Sequence, residues 1–179
     1  MKAACFLAQG FEESEAVITI DLLKRAGIDV TIVGVEEKHI KSTHGVIISA
    51  DVLLKNWAGD ADCFILPGGV PGVNNLYKSD QLKQIIQINF EANKLIAAIC
   101  AAPAVVLDKW GLLKNKKATG YPSMKDQFKD AVYSNDNVVI DGNLITSKGV
   151  GTAMQFALAI IKQLLGESKA EEVKKTVLL

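Results

Sequence analysis

Short, almost continuous apolar runs alternate along this chain with longer segments in which apolar residues recur at helical spacing. A run of four to eight apolar residues is typical of a buried strand, whereas the longer amphipathic segments are typical of helices. We predict strands over residues 2–8, 29–35, 62–66 and 95–99, a small hairpin or a meander over residues 40–48, and a hairpin over residues 138–146. We predict helices over residues 12–26, 79–93, 103–110 and 152–165, and a final short helix after Gly166.

Local signals mark where several of these elements begin or turn. Ser79 is placed to cap a helix, and Asp141-Gly142 joins two apolar strands as a hairpin turn does. Ser168, followed three residues later by Glu171, matches a capping box for the last helix. Strands that alternate with helices predict an α/β sandwich with a mostly parallel sheet and short antiparallel additions. The length and the absence of a linker predict one domain over residues 1–179.

The charge balance and the cysteine count exclude several classes of protein. Lys and Arg together number 20, as do Asp and Glu, so the chain lacks the basic excess that nucleic-acid binding requires. Three cysteines without a CxxC spacing predict neither a disulfide framework nor a zinc site. The sequence opens on an apolar strand without a signal-peptide pattern and has no run of 18 apolar residues, so we expect a cytoplasmic protein that does not enter a membrane.

Cys100 stands where a predicted strand meets a predicted helix, which is the layout of a nucleophile elbow. Pro103 suits the first turn of that helix, and Ala98 and Ala102 are small enough for the tight turn. The N–H groups at the start of the helix would point toward the sulfur and favour a thiolate. The alternative is a free cysteine that is buried as a small hydrophobic residue.

In open α/β sheets, ligands bind beyond the carboxyl ends of the parallel strands. We expect three loops to meet there, namely residues 9–15, residues 67–72 and the turn at Cys100. The backbone N–H groups of Gly68, Gly69 and Ala101 are candidates for an oxyanion hole. The same glycines are equally explained by a strand-to-helix turn that needs unusual backbone angles.

Glu15 is the candidate acid of this site. A carboxyl kept protonated by burial can hydrogen-bond the Cys100 sulfur and shuttle protons. The alternative is that Glu12, Glu13 and Glu15 only favour the N-terminus of a helix.

Both histidines, His39 and His44, fall in or beside the first predicted hairpin, and none follows Cys100. We expect both to be solvated or structural, which argues against the Cys–His chemistry of peptidases and amidotransferases. Cys5 and Cys63 lie in apolar strands and are expected to be inert core residues.

The helix predicted over residues 12–26 is apolar on more than one face, since Ile18 and Leu22 lie away from Ala16 and Ile20. A helix of this kind is buried on two sides. One side would cover the sheet and the other a second subunit, so we predict a homodimer.

Four motifs stand in order along almost the whole chain. They are Gly10-x-Glu12-Glu13-x-Glu15, Leu66-Pro67-Gly68-Gly69, the segment 97–103 around Cys100, and Thr146-Ser147-x-Gly149-x-Gly151-Thr152. Together they resemble the ThiJ/PfpI superfamily, most closely its parkinsonism-associated protein deglycase (DJ-one type) branch and the bacterial relatives of that branch.

The resemblance implies a flavodoxin-like sandwich and a homodimer that uses the first helix. It implies that Cys100 is the reactive, oxidation-sensitive cysteine and that Glu15 is its protonated partner, with backbone donors at Gly68, Gly69 and Ala101. Arg25 matches an arginine that reaches the site of the neighbouring subunit.

Two positions depart from the patterns of the superfamily. Ala101 stands where peptidase members have a histidine directly after the nucleophile, which argues against peptidase activity. Tyr121 stands before Pro122 where the deglycase branch often has a histidine, and a phenol is a poor base at neutral pH. Tyr121 is therefore an auxiliary candidate only.

Two functions follow from the resemblance. The first is a cysteine-dependent glyoxalase or deglycase that acts on methylglyoxal, glyoxal or their protein and nucleotide adducts, and that needs no metal or organic cofactor. The second is a redox-sensing chaperone or binding protein in which Cys100 is oxidised to a sulfinate. An amidotransferase ranks last because no histidine follows Cys100.

Overall fold

A seven-stranded sheet forms the centre of the computed structural model, which describes residues 1–179. The strands are β1 (Lys2–Leu7), β2 (Asp29–Gly34), β3 (His39–Lys41), β4 (Ile47–Ser49), β5 (Val52–Leu53), β6 (Cys63–Leu66), β7 (Leu95–Ile99), β8 (Lys117–Ala118), β9 (Val132–Tyr133), β10 (Val138–Asp141) and β11 (Leu144–Ser147). The spatial order is β10-β11-β7-β6-β1-β2-β5, and only the β10–β11 pair is antiparallel. Two smaller pairs stand apart, the antiparallel β3–β4 and the parallel β8–β9.

Helices cover both faces of this sheet. They are α1 (Glu13–Arg25), α2 (Val70–Lys78), α3 (Asp80–Glu91), α4 (Ala153–Leu165) and α5 (Glu167–Thr176). Side chains of α1, α4 and α5 share one buried apolar cluster, and those of α2 and α3 share a second cluster on the opposite face. Successive side chains of strand β1 pack alternately in the two clusters, because side chains of a strand point to opposite faces with a two-residue period. The fold is therefore the predicted flavodoxin-like, three-layer α/β sandwich.

Local signals correctly located some element ends. The hydroxyl of Ser79 accepts a hydrogen bond from the N–H of Leu82 at 3.2 Å, as an N-cap does. The second predicted hairpin is present as β10 and β11, with Gly142 at a φ of +63° in its turn. The first predicted hairpin is present as β3 and β4.

Two local predictions need correction, and one helix was missed. The capping box is wrong, because α5 begins at Glu167 directly after Gly166 and no side chain caps it, so that Ser168 already lies inside the helix. The helix predicted over residues 103–110 is a π-helical turn over Pro103–Asp108. Helix α2 was not predicted, since the glycines and prolines at its start favour a loop.

Another helix of the same chain, α4, covers part of the apolar surface of α1 that faces away from the sheet. Ile18, Ile20 and Leu22 pack in the same cluster as the side chains of α4, so an intrachain helix covers part of what was assigned to a second subunit. Val17 is 47% exposed on α1. The homodimer stays a prediction.

None of the helices combines the length and the apolar character that crossing a bilayer requires.

Candidate functional site

The topology brings the three predicted loops together. Strands β1, β6 and β7 are neighbours, and their carboxyl ends point the same way because they are parallel. The N–H of Glu12 donates to the carbonyl of Gly68 at 2.9 Å, and the N–H of Gly72 donates to the carbonyl of Gly10 at 3.0 Å. These hydrogen bonds join the first loop to the second beside Cys100.

Cys100 occupies a strained turn between β7 and the π-helical turn. Its φ is +66°, a region that residues with a Cβ atom adopt at a cost of about 1–3 kcal/mol. The N–H of Cys100 donates to the carbonyl of Ser147 at 2.9 Å, and the carbonyl of Cys100 accepts from the N–H of Tyr121 at 2.7 Å. Two loops therefore hold the nucleophile elbow in place, and the half-buried thiol faces a cavity.

The Glu15 carboxyl lies beside the thiol inside the protein. The residue is 1% exposed, its Oε2 accepts from the N–H of Gly68 at 2.8 Å, and its Oε1 has no hydrogen-bond partner. Burial raises the pKa of Glu15 to about 7, against the lowering effects of the Gly68 N–H and the Cys100 thiol. The carboxyl therefore holds its proton below neutral pH, which is the direction expected from burial.

The Cys100 thiol differs from the sequence-based expectation of a favoured thiolate. Burial and the negative charge of Glu15 raise the pKa of Cys100 to about 12, although the N–H groups of Ala101 and Gly69 act in the opposite direction. The charge effect of Glu15 exists only while that carboxyl is ionised. Cys100 and Glu15 therefore titrate as a coupled pair.

Two glycines leave room for this pair. A Cβ atom at Gly68 would lie 2.5 Å from Cβ of Cys100 and 2.6 Å from Oε2 of Glu15, so any side chain there would displace both groups. Gly69 has a φ of +92°, and a Cβ atom there would lie 2.4 Å from the carbonyl oxygen of Gly10. The close approach and the positive φ explain these two glycines.

The predicted donors have different partners. The N–H groups of Gly69 and Ala101 face the Cys100 sulfur and act to lower the pKa of its thiol, and their role as an oxyanion hole stays a prediction. The N–H of Gly68 is instead bound to Glu15, so Gly68 orients the acid.

A cavity of about 630 Å³ opens over the thiol. Its lining residues are Glu12, Glu15, Thr43, His44, Gly69, Val70, Cys100, Ala101, residues 121–124 and residues 148–152. The volume lies within the range of about 300–1,000 Å³ that is typical of pockets for small organic molecules.

Gly149 was absent from the predicted site residues although it stands in the fourth motif. A Cβ atom at Gly149 would lie 3.6 Å from Oε1 of Glu15 and 3.8 Å from Sγ of Cys100. Its N–H donates to the hydroxyl of Thr152 at 3.1 Å, which orders the loop after β11. The G-x-G spacing after a strand was the sequence signal that could have identified it.

His44 was expected to be solvated or structural, and its side chain is 71% exposed, but the structure also places it in the lining of the cavity. The β3–β4 hairpin lies on the first loop through two hydrogen bonds of 2.8 Å, from the N–H of Gly10 to the carbonyl of Lys41 and from the N–H of Thr43 to the carbonyl of Phe11. No local pattern in the sequence encodes these long-range hydrogen bonds.

Glu12, Glu13 and His44 each bring one possible metal-ligand atom within 4.8 Å of the others. Both carboxylates already have partners in the protein. Glu12 accepts from the N–H of Glu15 at 2.7 Å as a helix cap, and Glu13 binds His44 at 3.2 Å. These contacts account for the cluster as part of the protein framework.

The auxiliary candidates lie at different places. The Tyr121 ring lines the cavity and its hydroxyl makes no hydrogen bond to the thiol, so its link to Cys100 is through its backbone. Arg25 pairs with Asp21 on α1 at 2.7 Å and lies outside the cavity, and its role toward a partner subunit stays a prediction. Cys5 and Cys63 are fully buried, as predicted for core residues.

Comparisons with known proteins agree with this fold and motif set. The DJ-1/PfpI family profile matches residues 1–163. Protein dj-1beta of Drosophila melanogaster is 43% identical over 181 residues, which cover 99% of this chain and 96% of that protein. Glutathione-independent glyoxalase DJR-1.2 of Caenorhabditis elegans is 36% identical over 171 residues, which cover 94% of this chain and 90% of that protein.

A solved structure of oxidized Toxoplasma gondii DJ-1 superposes with a TM-score of 0.96 at 36% identity, over 99% of this chain and 97% of that one. The chain spans only 45% and 40% of the length of two Arabidopsis thaliana DJ-1 homologues, A and B, to which it is 40% and 39% identical. The profile match and the near-full-length relatives establish that the chain belongs to the DJ-1/PfpI family.

Proposed function

We propose that this chain is a cysteine-dependent enzyme that converts methylglyoxal, glyoxal or their adducts to 2-hydroxy acids without glutathione. The observation that supports it best is the placement of Cys100 on a strained elbow, between two N–H donors and a buried carboxyl whose pKa is raised to about 7. The name of the Caenorhabditis elegans relative, a glutathione-independent glyoxalase, points to the same class.

The first step of this reaction joins the Cys100 sulfur to the aldehyde carbon. The Glu15 carboxylate accepts the thiol proton as the S–C bond forms, and the electron pair of the C=O bond moves to oxygen. The N–H groups of Gly69 and Ala101 stabilise that oxyanion. Glu15 then returns the proton to the oxygen, which gives a neutral hemithioacetal.

The second step moves hydrogen between adjacent carbons. Glu15 removes the proton of the former aldehyde carbon while the neighbouring carbonyl oxygen takes up a proton, which gives an enediol. Glu15 then delivers its proton to the neighbouring carbon, and the hydroxyl of the former aldehyde carbon loses its proton to become the carbonyl of a 2-hydroxy thioester. Water then cleaves the C–S bond, releases the 2-hydroxy acid and restores the thiol. A carboxyl with a pKa of about 7 both accepts and donates a proton near neutral pH.

Replacement of Cys100 tests this function directly. Cys100→Ala should reduce glutathione-free consumption of methylglyoxal to the uncatalysed background, and Glu15→Gln should lower it about 10²–10⁴-fold because the proton-transfer group is lost. Cys5→Ala is the matched control, since Cys5 is fully buried outside the cavity, and it should leave turnover unchanged. Full activity of Cys100→Ala would exclude the mechanism.

The second candidate is a redox sensor with chaperone or binding activity. It is favoured by the solved oxidized state of the Toxoplasma gondii relative and by the exposure of Cys100 alone among the three cysteines. The two N–H donors at Gly69 and Ala101 would also suit the oxygens of a sulfinate. A wild-type protein with an alkylatable Cys100 but no turnover of dicarbonyls would favour this role.

The proposal includes three further predictions from the sequence. Residues 1–179 act as one domain, two copies associate as a homodimer, and the protein works in the cytoplasm, where thiols stay reduced. Small carbonyl compounds or glycated proteins and nucleotides are the proposed substrates.

A further inference from the structure

His44 and Glu13 form a side-chain pair at the cavity that the mechanism above leaves unused. Nδ1 of His44 lies 3.2 Å from Oε1 of Glu13, and the N–H of His44 donates to Oε2 of Glu13 at 3.4 Å. The His44 side chain is 71% exposed, whereas the Glu13 side chain is 14% exposed. The carboxylate therefore holds the ring from the protein side, and the remaining edge of the ring is accessible to a ligand.

The chemistry of Glu13 determines which ring nitrogen is free. Burial acts to raise the pKa of Glu13, but hydrogen bonds from its backbone, His44 and Ser42 together hold that pKa below its ordinary value. An ionised carboxylate is only an acceptor, so Nδ1 of His44 must carry the hydrogen that lies between them. Nε2 of His44 is then the nitrogen left to meet a ligand, and it is a donor when the ring is charged.

The position of His44 is built into the framework. Thr43, the residue before it, is bound to the carbonyl of Phe11, and the N–H of Val46 donates to the hydroxyl of Ser42 at 2.9 Å. The first bond joins the hairpin turn to the loop that leads to Glu15, and the second closes the turn itself. The imidazole therefore stays close to the cavity as long as the hairpin is folded.

The other charged groups at the cavity already have partners. Lys148 also lines it, but its ammonium group donates to the side chain of Asn137 at 3.4 Å and interacts with Asp136. Glu12 caps α1, and Glu15 is bound to Gly68. Of the two basic residues that line the cavity, His44 is the one whose ring is held by a carboxylate with one nitrogen left free, whereas the ammonium of Lys148 is directed toward Asn137.

We propose that Nε2 of His44 binds an oxygen of the substrate that lies beyond the carbon attacked by Cys100. The site would then select small carbonyl compounds that carry a second oxygen function, either an adjacent carbonyl or a carboxylate. The inference rests on the proposed function only in taking Cys100 as the group that meets the reacting carbon. Recognition of the second oxygen needs no turnover.

Two alkylating reagents of almost equal size test the recognition. Iodoacetate and iodoacetamide both deliver a carbon to the Cys100 sulfur, but only iodoacetate carries a charged carboxylate beyond that carbon. The measured quantity is the ratio of their rate constants at Cys100 at about pH 6, where a histidine side chain is charged and the Glu15 carboxyl is protonated. Mass spectrometry of the modified peptide confirms that Cys100 is the labelled site.

The variants must separate His44 from the charge of Glu13, because removal of His44 alone also exposes that carboxylate. We therefore compare Glu13→Gln with the double variant Glu13→Gln/His44→Ala. The iodoacetate-to-iodoacetamide ratio should fall about fivefold on the second change, the effect of one partly screened ion pair. His39→Ala is the matched control, since His39 lies outside the cavity and binds Ser49, and its ratio should equal that of the wild type.

The alkylation experiment has two outcomes that would overturn a proposal. An equal ratio in the single and double variants, with Cys100 still labelled, overturns the role of His44 and leaves the proposed function standing. Failure of both reagents to label Cys100 in the folded wild type at any pH from about 6 to 9, a range that includes the ionisation of Glu15, overturns both proposals, because Cys100 would then not be an accessible nucleophile.

Discussion

The Cys100–Glu15 pair shows how two residues define each other's chemistry. Burial alone raises the pKa of both groups, and their mutual charge repulsion disfavours the doubly ionised state. The N–H of Gly68 holds the acid, whereas the N–H groups of Gly69 and Ala101 face the sulfur. One proton is therefore shared by the pair near neutral pH, and its location decides whether Cys100 is a nucleophile.

The alkylation rate of Cys100 with neutral iodoacetamide should report this coupling. In the wild type, the profile of rate against pH should show a break near pH 7, where Glu15 ionises, and a second rise at alkaline pH. Glu15→Gln should lose the break near pH 7 and reach its maximum at lower pH, because the charge that raises the Cys100 pKa is gone. If the rate profile of Glu15→Gln moved to higher pH, it would show instead that the Glu15 proton stabilises the thiolate.

At the scale of elements, the site depends on how closely two turns approach each other. The turn after β6 passes Cys100 without a side chain at Gly68, and the β7 turn places Cys100 at a φ of +66°. Interiors are close-packed, so an added methyl group cannot be absorbed where backbone and Cβ atoms already touch.

Gly68→Ala should therefore lower the free energy of unfolding by about 1–3 kcal/mol and abolish the alkylation of Cys100 near neutral pH. The added Cβ atom would lie 2.5 Å from that of Cys100 and 2.6 Å from Glu15 Oε2. Urea unfolding and the labelling rate measure the two effects. Gly151→Ala is the control for stability, since nothing lies within 4 Å of its added Cβ atom, and stability should change by less than about 0.5 kcal/mol. Equal stability of the two variants would show that the turns after β6 and β7 can move apart to accommodate the added methyl group.

At the scale of the whole molecule, the buried acid links the site to folding. Glu15 lies in the interior at the start of α1, under the loops from β1 and β6. In the unfolded chain its carboxyl is solvated and titrates near its ordinary value of 4.5, whereas in the fold its pKa is about 7. The folded protein thus binds this proton more tightly, and ionisation of Glu15 destabilises it.

The contribution of Glu15 to stability should be fully present below pH 4.5 and lost as the pH rises through 7. The loss amounts to about 3.5 kcal/mol, from 1.4 kcal/mol for each of the 2.5 pH units between the two values. The free energy of unfolding of the wild type minus that of Glu15→Gln, measured in urea at pH values from about 4 to 8, should fall by that amount. Taking this difference cancels the contribution of carboxylates whose pKa is lowered, such as Asp62 and Asp141, which change stability with pH in the opposite direction. If the free energies of unfolding of the wild type and of Glu15→Gln differed by the same amount at every pH, the raised pKa of Glu15 would be contradicted.

The sequence by itself determined the layers of this protein and singled out Cys100 as the candidate nucleophile. Apolar runs and helical periodicity depend on neighbours along the chain, so they located β1, β6, β7 and α1 to within about two residues. The abrupt change from the apolar run 95–99 to Cys100 and Pro103 likewise indicated the elbow, which the positive φ of Cys100 bears out. The glycines and acids of the first two loops were recognised because their spacing in the chain is itself the motif.

Only the tertiary structure decided which of these groups meet and what their charges become. His44 reaches the cavity through hydrogen bonds between residues more than 30 positions apart, which no local pattern specifies. Gly68 turned from a candidate oxyanion donor into the partner of Glu15, because one N–H can serve only one of two nearby acceptors. The direction of the Cys100 pKa depended on burial and on the charge of Glu15, which outweigh the N–H groups at the helix start. Desolvation and charge repulsion act through space, so they exist only once the chain has folded.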